Sequence, residues 1–551
     1  MTRIRLSIAV GAAAVTAAAL LLGGALGGPG PKAAAPGLAA GVTDFRSTNT
    51  SAYVARLQEA LGQRPDDVRG LGLLGLAYQQ RARETGDPAY YTKSRGVLGR
   101  ALRLAPRDLI ATGALGSLAL SQHRFREALA LGRRAHLLSP TTARTYGVTG
   151  DALVELGRYR EAFAAFDEMA RLRPSLAAYA RISYARELRG DFGGAVAAMR
   201  LAQTAAIGEP EALAWTAVQL GKLYWSRGRL GAAAREYRDA LRAFRGYVYA
   251  EDALAQVEAA RGRLRTAITL EQRAVDGVPL PQFVAALGDL QRTAGDERAA
   301  RRQYATIRVI QRLLVANGVK TDLETALFDV DHSIGLRHAL AVAQRAHAER
   351  PSIDGDDVLA WALARNGRCA EALSWSKRSL RLGTHDALKF FHRGAIERCL
   401  GRAGAARTWF TRALELNPAD LVAANNCASL GLLLTGDSSA RRLATRLHAE
   451  NPTNAALNST YAFALFTEGK TSEALREMET LKEAQLRHPA IAAYYFVLLV
   501  ENGKMERAHS FLSAANKAQL LPEEQQLLTA ATRKLLQHDS QAVMKTAAAD
   551  N

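Results

Sequence analysis

The sequence reads as an all-α chain, a solenoid of about a dozen stacked helix pairs. At 551 residues it exceeds one ordinary compact core, so it must fold as several domains or as a repeat array. Hydrophobic residues make up 48 %, charged residues 23 % and aromatic residues only 7 %. Ala and Leu dominate the apolar set, and both favour helix over strand. The third observation is a recurrence. The stretch "GRAGAARTWFTRALELNP", Gly401 to Pro418, shares Gly, the first Arg, an Ala, a Phe and the closing Pro, at the same offsets, with "GRYREAFAAFDEMARLRP", Gly157 to Pro174.

The N-terminus opens with Arg3 and Arg5, followed by uncharged residues as far as Lys32, the pattern of an export signal. Leu6 to Leu26 is about long enough to cross a bilayer, which needs roughly 20 apolar residues. Cleavage and anchoring both stay open at this point. Residues 1–27 are expected to be a signal peptide or N-terminal membrane anchor, and 28–49 a Pro/Gly/Ala-rich linker. No cysteine stands near the small-x-small sites at Ala25-Leu26-Gly27 and Gly37-Leu38-Ala39, so lipoprotein attachment is not expected. The positive N-terminal flank places the remainder outside the cytoplasm, secreted or anchored.

From residue 50 the skeleton repeats about every 34 residues. Counted from Ala387, Gly394 falls at the eighth position, Gly401 at the fifteenth, Ala406 at the twentieth, and Phe410, Ala413 and Pro418 follow. From Ala143 the same ruler finds Gly150, Gly157, Ala162, Phe166 and Pro174. Each copy reads as two amphipathic helices, with Gly at the reversal between them and Pro where the second must stop. One pair cannot bury its apolar face alone, so copies stack. The ruler slips at "RETGDPAYY", Arg83 to Tyr91, which is an insertion, and again over Ile307 to Asp322, where a joint is expected. The array therefore divides into a first part, 50–319, and a second part, 320–522, with a capping helix and flexible tail over 523–551.

The pattern resembles the tetratricopeptide repeat, TPR, written Trp-x2-Leu-Gly-x2-Tyr, then Ala-x3-Phe, then Ala and Pro. "LGLAY" at Leu74 to Tyr78 and "LGKLY" at Leu220 to Tyr224 match the first half, and "AFAAF" at Ala162 to Phe166 matches the second. The resemblance implies a right-handed superhelix with a concave groove that holds a protein or peptide partner. In that family the second, fifth, ninth and twelfth positions of a repeat's first helix face the groove. Carried onto the repeat beginning at Ala214 these are Trp215, Val218, Lys222 and Trp225; in the repeat beginning at Val248 they are Tyr249, Asp252, Gln256 and Ala259. The alternative is that the two Trp residues pack between helices. The Lys and Asn set of the chaperone-tail clamp in some relatives is not reproduced.

Catalytic spacing is missing. "GLGLLG", Gly70 to Gly75, follows no strand, and "DVDH" (Asp329 to His332) and "DGDD" (Asp354 to Asp357) suit helix ends better than a metal. No cofactor, metal site or enzymatic activity is expected. Cys369 and Cys399 fall at helix ends on one edge of an up-down stack, which allows a disulfide in an oxidising compartment, with Cys427 left free and buried. The other reading is three small core residues. The formal charge of +19 is spread along the chain without a run of four basic residues, so a specific nucleic-acid surface is not expected. The function expected is an exported, non-catalytic scaffold for protein–protein interaction. An accessory subunit of a cell-envelope enzyme or transport assembly, and a binder of an anionic polymer, are the alternatives. If the leader stays uncleaved, it also holds the chain at the membrane.

Overall fold

The computed structural model describes residues 50–549, with 29 α-helices and no strand among them. After an opening helix, Thr50–Gln63, the chain forms successive antiparallel pairs, from Val68–Thr85 with Ala89–Leu104 to Pro489–Glu501 with Met505–Ala515, and ends in Pro522–Ala549. The leader or anchor and the linker expected over residues 1–49 lie outside the described residues.

The two helices of a pair differ in burial. First helices are covered almost all round: Pro489–Glu501 buries Ile491, Ala492, Ala493 and every residue from Tyr495 to Val500. Second helices bury one stripe, as Leu264–Gly277 does with Ala267, Glu271 and Ala274. A helix packed on several sides must be apolar around its circumference, whereas an outer helix needs only one apolar face. Asp or Ser caps many first helices; Asp108 and Asp67 accept from backbone amides of their first turns at 2.6 and 3.0 Å. Pro140, Pro174 and Pro418 each follow the end of a second helix, where a missing N–H costs least.

Packing within a pair explains the eighth-position glycine. A Cβ on Gly221 would collide with the ring of Tyr237, and the same holds for Gly150 and Phe166. At Gly288 the clash would be with Tyr304 at 2.6 Å, and at Gly394 with Phe410 at 2.8 Å. Glycine in the first helix thus makes room for an aromatic ring sixteen residues on in the second. Where Ala stands instead, as at Ala462 and Ala360, the facing residue is Met478 or Ser376.

By contact the described chain divides into two compact units: residues 50–366 with Ser374–Asp386, and Gly367–Leu373 with residues 387–549. Near residue 319, where a joint is expected, the second helix Glu297–Ala316 is lengthened to 20 residues. It leads into a first helix of only 10, Asp322–Asp331.

Inside the larger unit the array meets itself. Gln122 Nε2 donates to the Asn317 carbonyl (2.8 Å), Arg124 Nε to Gly318 (3.0 Å) and Thr384 Oγ1 to Leu188 (2.5 Å), while Tyr159 Oη accepts from the Ile353 amide (2.7 Å). These partners are 194 to 196 residues apart. Turns inside early repeats therefore dock on turns between later ones, at a nearly constant offset of fewer than six repeats of about 34 residues. Gly157, at φ +70°, fits here because a side chain would strike the Pro351 carbonyl. Buried Arg350 crosses the same seam to Glu155 and also reaches Glu324 at 2.8 Å.

Candidate functional site

Lys222, Asp252 and Gln256 come together on the facing first helices Pro210–Trp225 and Val248–Ala260. Gln256 Nε2 donates to Asp252 Oδ1 at 3.0 Å. Burial pushes the Asp252 carboxyl up to about 6, against the opposing pull of the Gln256 amide and Lys222. Burial likewise pulls the Lys222 amine down, while Asp252 and Glu187 favour its charge. All three side chains are half-buried.

The aromatic members of the expected groove fall differently. Trp215 is 7 % exposed and Val218 1 %, both within the core built by Ala214, Leu220 and Tyr237. Trp215 thus packs as core, not as open binding surface, and its indole Nε1 finds no acceptor among the described residues. Trp225 is half-buried against that core. Tyr249 lies with its ring 5.7 Å from Phe283 and 5.4 Å from Tyr247. Over it comes the insertion: Arg83 pairs with Glu211 at 3.2 Å, and burial pushes the neighbouring Tyr91 hydroxyl up to about 12. Tyr249 thus shares the helix Val248–Ala260 with Asp252 and Gln256, which with Lys222 form a polar floor.

One residue of this floor is not among those the repeat pattern points to. Glu271, on the second helix Leu264–Gly277, is fully buried, and neither carboxylate oxygen has a hydrogen-bond partner among the described residues. Burial raises its pKa well above the ordinary range, and nearby Asp252 raises it further. A signal for it is present in the sequence: Glu271 stands at the position where sister copies carry Tyr237, Tyr304 or Phe410.

Cys369 and Cys399 are bridged, with Cα atoms 6.1 Å apart, and Cys427 is free and buried. The rejected motifs have structural partners. Gly70 to Gly75 lie inside the helix Val68–Thr85. Asp329 pairs with Arg308, Asp331 accepts from Trp361 Nε1 at 2.8 Å, and Asp356 pairs with His347 at 2.8 Å and with Arg381. No cluster of metal-ligating side chains occurs among the described residues, and no helix among them is long and apolar enough to cross a membrane.

The family profile described as "Tetratricopeptide repeat" matches residues 148–210 and 218–280, which include the first helices carrying Lys222, Asp252 and Gln256. The chain contains tetratricopeptide repeats. No curated protein matches it significantly. Among solved structures, the chain is similar to one described as the APC/C hetero-tetramer Cut9-Hcn1, at 12 % identity and a TM-score of 0.45, covering 83 % of this chain and 96 % of that one. A second, YrrB, is described as a TPR protein with an unusual peptide-binding site; it matches at 17 % identity and a TM-score of 0.24, covering 38 % of this chain and 97 % of that one.

Proposed function

We propose that this TPR chain is an exported, non-catalytic scaffold that holds a protein or peptide partner against the first helices of its repeats. The carrying observation is the polar floor of Lys222, Asp252 and Gln256, at positions of two adjacent repeats that the TPR resemblance assigns to a groove, next to a core of apolar side chains. Polar groups kept at the cost of desolvation, next to aromatic surface, are what fixes the orientation of a bound chain. Export rests on the arginine-led leader and on the Cys369–Cys399 bridge, since disulfides persist mainly in oxidising compartments.

Crosslinking in the native cell followed by mass spectrometry tests the scaffold reading. A reproducible partner whose crosslinks map to residues 214–260 is expected; crosslinks confined to other repeats would move the binding surface. Fusion of a reporter enzyme active only outside the cytoplasm, placed after Ala40, tests export. A silent reporter, with a cytosolic one active at the same joint, would refute it.

A further inference from the structure

We propose that the solvent-facing side of the helix Glu297–Ala316 docks on an anionic lipid surface, with its arginines among the phosphate headgroups and Val309 and Leu313 in the acyl boundary beneath them. This face belongs to a second helix and shares no residue with the groove, so it stands or falls independently of the scaffold reading.

The length of this helix is the starting observation. The second helices before and after it, Leu264–Gly277 and Leu336–Glu349, have 14 residues each and expose no large apolar side chain. This one has 20 residues, and its Val309, Leu313 and Val315 are 47, 52 and 57 % exposed. Its inner side is already satisfied: Ala299, Ala300 and Ile307 are buried, and Arg308 pairs with Asp329. The outer side runs through Arg298, Arg302, Ala305, Val309 and Arg312 at spacings of three and four residues, with Leu313 four beyond Val309, and all six are exposed. A lone exposed Leu needs no explanation. Two large apolar side chains neighbouring each other on one stripe, in a helix whose core contacts are complete, mark a contact surface.

Charge complementarity names the partner. From Arg298 to Thr321 the chain contains no Asp or Glu, and Arg298, Arg301, Arg302 and Arg312 form no ion pair among the described residues. Four unpaired cations on one helix repel the same helix of a second copy, which disfavours self-association. A polyanion without apolar parts would use the guanidinium groups but leave Val309 and Leu313 in water. A lipid surface uses both: phosphates accept from the arginine forks, the arginine stems lie along the boundary, and the Val and Leu side chains enter it. A basic amphipathic helix is the form that such binding takes. Because the inner side stays packed on the protein, the helix lies on the surface and does not cross it.

The test treats the full chain with phenylglyoxal, which modifies accessible guanidinium groups, on vesicles of phosphatidylglycerol or of phosphatidylcholine, and follows each arginine by peptide mass spectrometry. The two lipids are compared at equal bound protein, so any hold that residues 1–49 take on both vesicles cancels. Arg298, Arg302 and Arg312 are expected to react at least about fivefold more slowly on phosphatidylglycerol, while Arg442 and Arg446, exposed on another second helix, keep their rates. Val309→Gln combined with Leu313→Gln changes only exposed positions, should leave the melting temperature unmoved, and should remove most of the slowing. Unchanged rates at all five arginines overturn the inference. Equal slowing at all five also overturns it, since a chain of charge +19 would then merely condense on a negative surface. Slowing that survives the double variant does the same, because the apolar contact is then absent. Slowing reproduced by soluble polyglutamate would assign the face to an acidic polypeptide instead, and slowing that follows protein concentration without vesicles would assign it to a second copy.

Discussion

Single residues decide where this fold is tense. Arg181 and Asp151 form a buried bidentate pair at 2.9 and 2.6 Å, with side chains 3 and 4 % exposed. Arg181→Ala would leave Asp151 charged and unpaired, and we expect a loss of about 3–5 kcal/mol in denaturant unfolding. Replacing both partners with Leu should recover much of that loss, which a double-mutant comparison reads directly. Glu271 gives a pH signature. Its folded pKa is raised above the unfolded value near 4.5, so the native state binds more protons than the unfolded chain between the two. The stability it permits is present below about pH 4.5 and is lost as pH rises through the folded pKa. Wild type should therefore lose stability relative to Glu271→Met with rising pH, in melts followed from pH 4 to 8; a flat difference would mean that Glu271 is solvated.

At the level of elements, the helix pair is what the sequence makes legible. Gly221 and Tyr237, or Gly394 and Phe410, are one contact written twice in the sequence, and a ruler detects it because packing demands the same residues at the same offsets. Gly221→Ala should cost about 1–3 kcal/mol by driving Tyr237 from its place, whereas the same change at Gly404, which has open space around it, should cost nothing or stabilise. The bridge Cys369–Cys399 spans 30 residues, so Cys369→Ser should lower stability by about 3–4 kcal/mol, and non-reducing peptide maps should recover the two crosslinked. Other features are hidden for physical reasons. Register alone puts Trp215 on the groove, but side chains at that end of the helix turn into the core. Glu271 is masked within its repeat, because a charged letter in a second helix normally marks its solvated face. The insertion at Arg83 to Tyr91 is visible as an irregularity, yet its role over Tyr249 depends on Glu211, far along the chain.

Across the larger unit, the seam is the feature with no trace in the sequence. Its bonds run largely to backbone carbonyls and amides, which every residue has, so no periodic residue type announces it. An ordinary stacked array behaves as a chain of nearest neighbours. Here repeats far apart in order are tied together, and residues 50–366 with 374–386 should unfold more steeply than such an array. Arg350→Ala removes the link to Glu155 and Glu324, and should both destabilise the unit by about 3–5 kcal/mol and lower the denaturant slope of its transition. An unchanged slope would make the seam a passive contact. The seam also sets a delay during synthesis. Partners 194 to 196 residues apart leave the ribosome about 10–40 s apart at ordinary elongation rates, so Gln122, Arg124 and Tyr159 wait through that interval with their polar groups facing water. Early repeats can pack as they emerge, but the unit locks only when its last turns arrive.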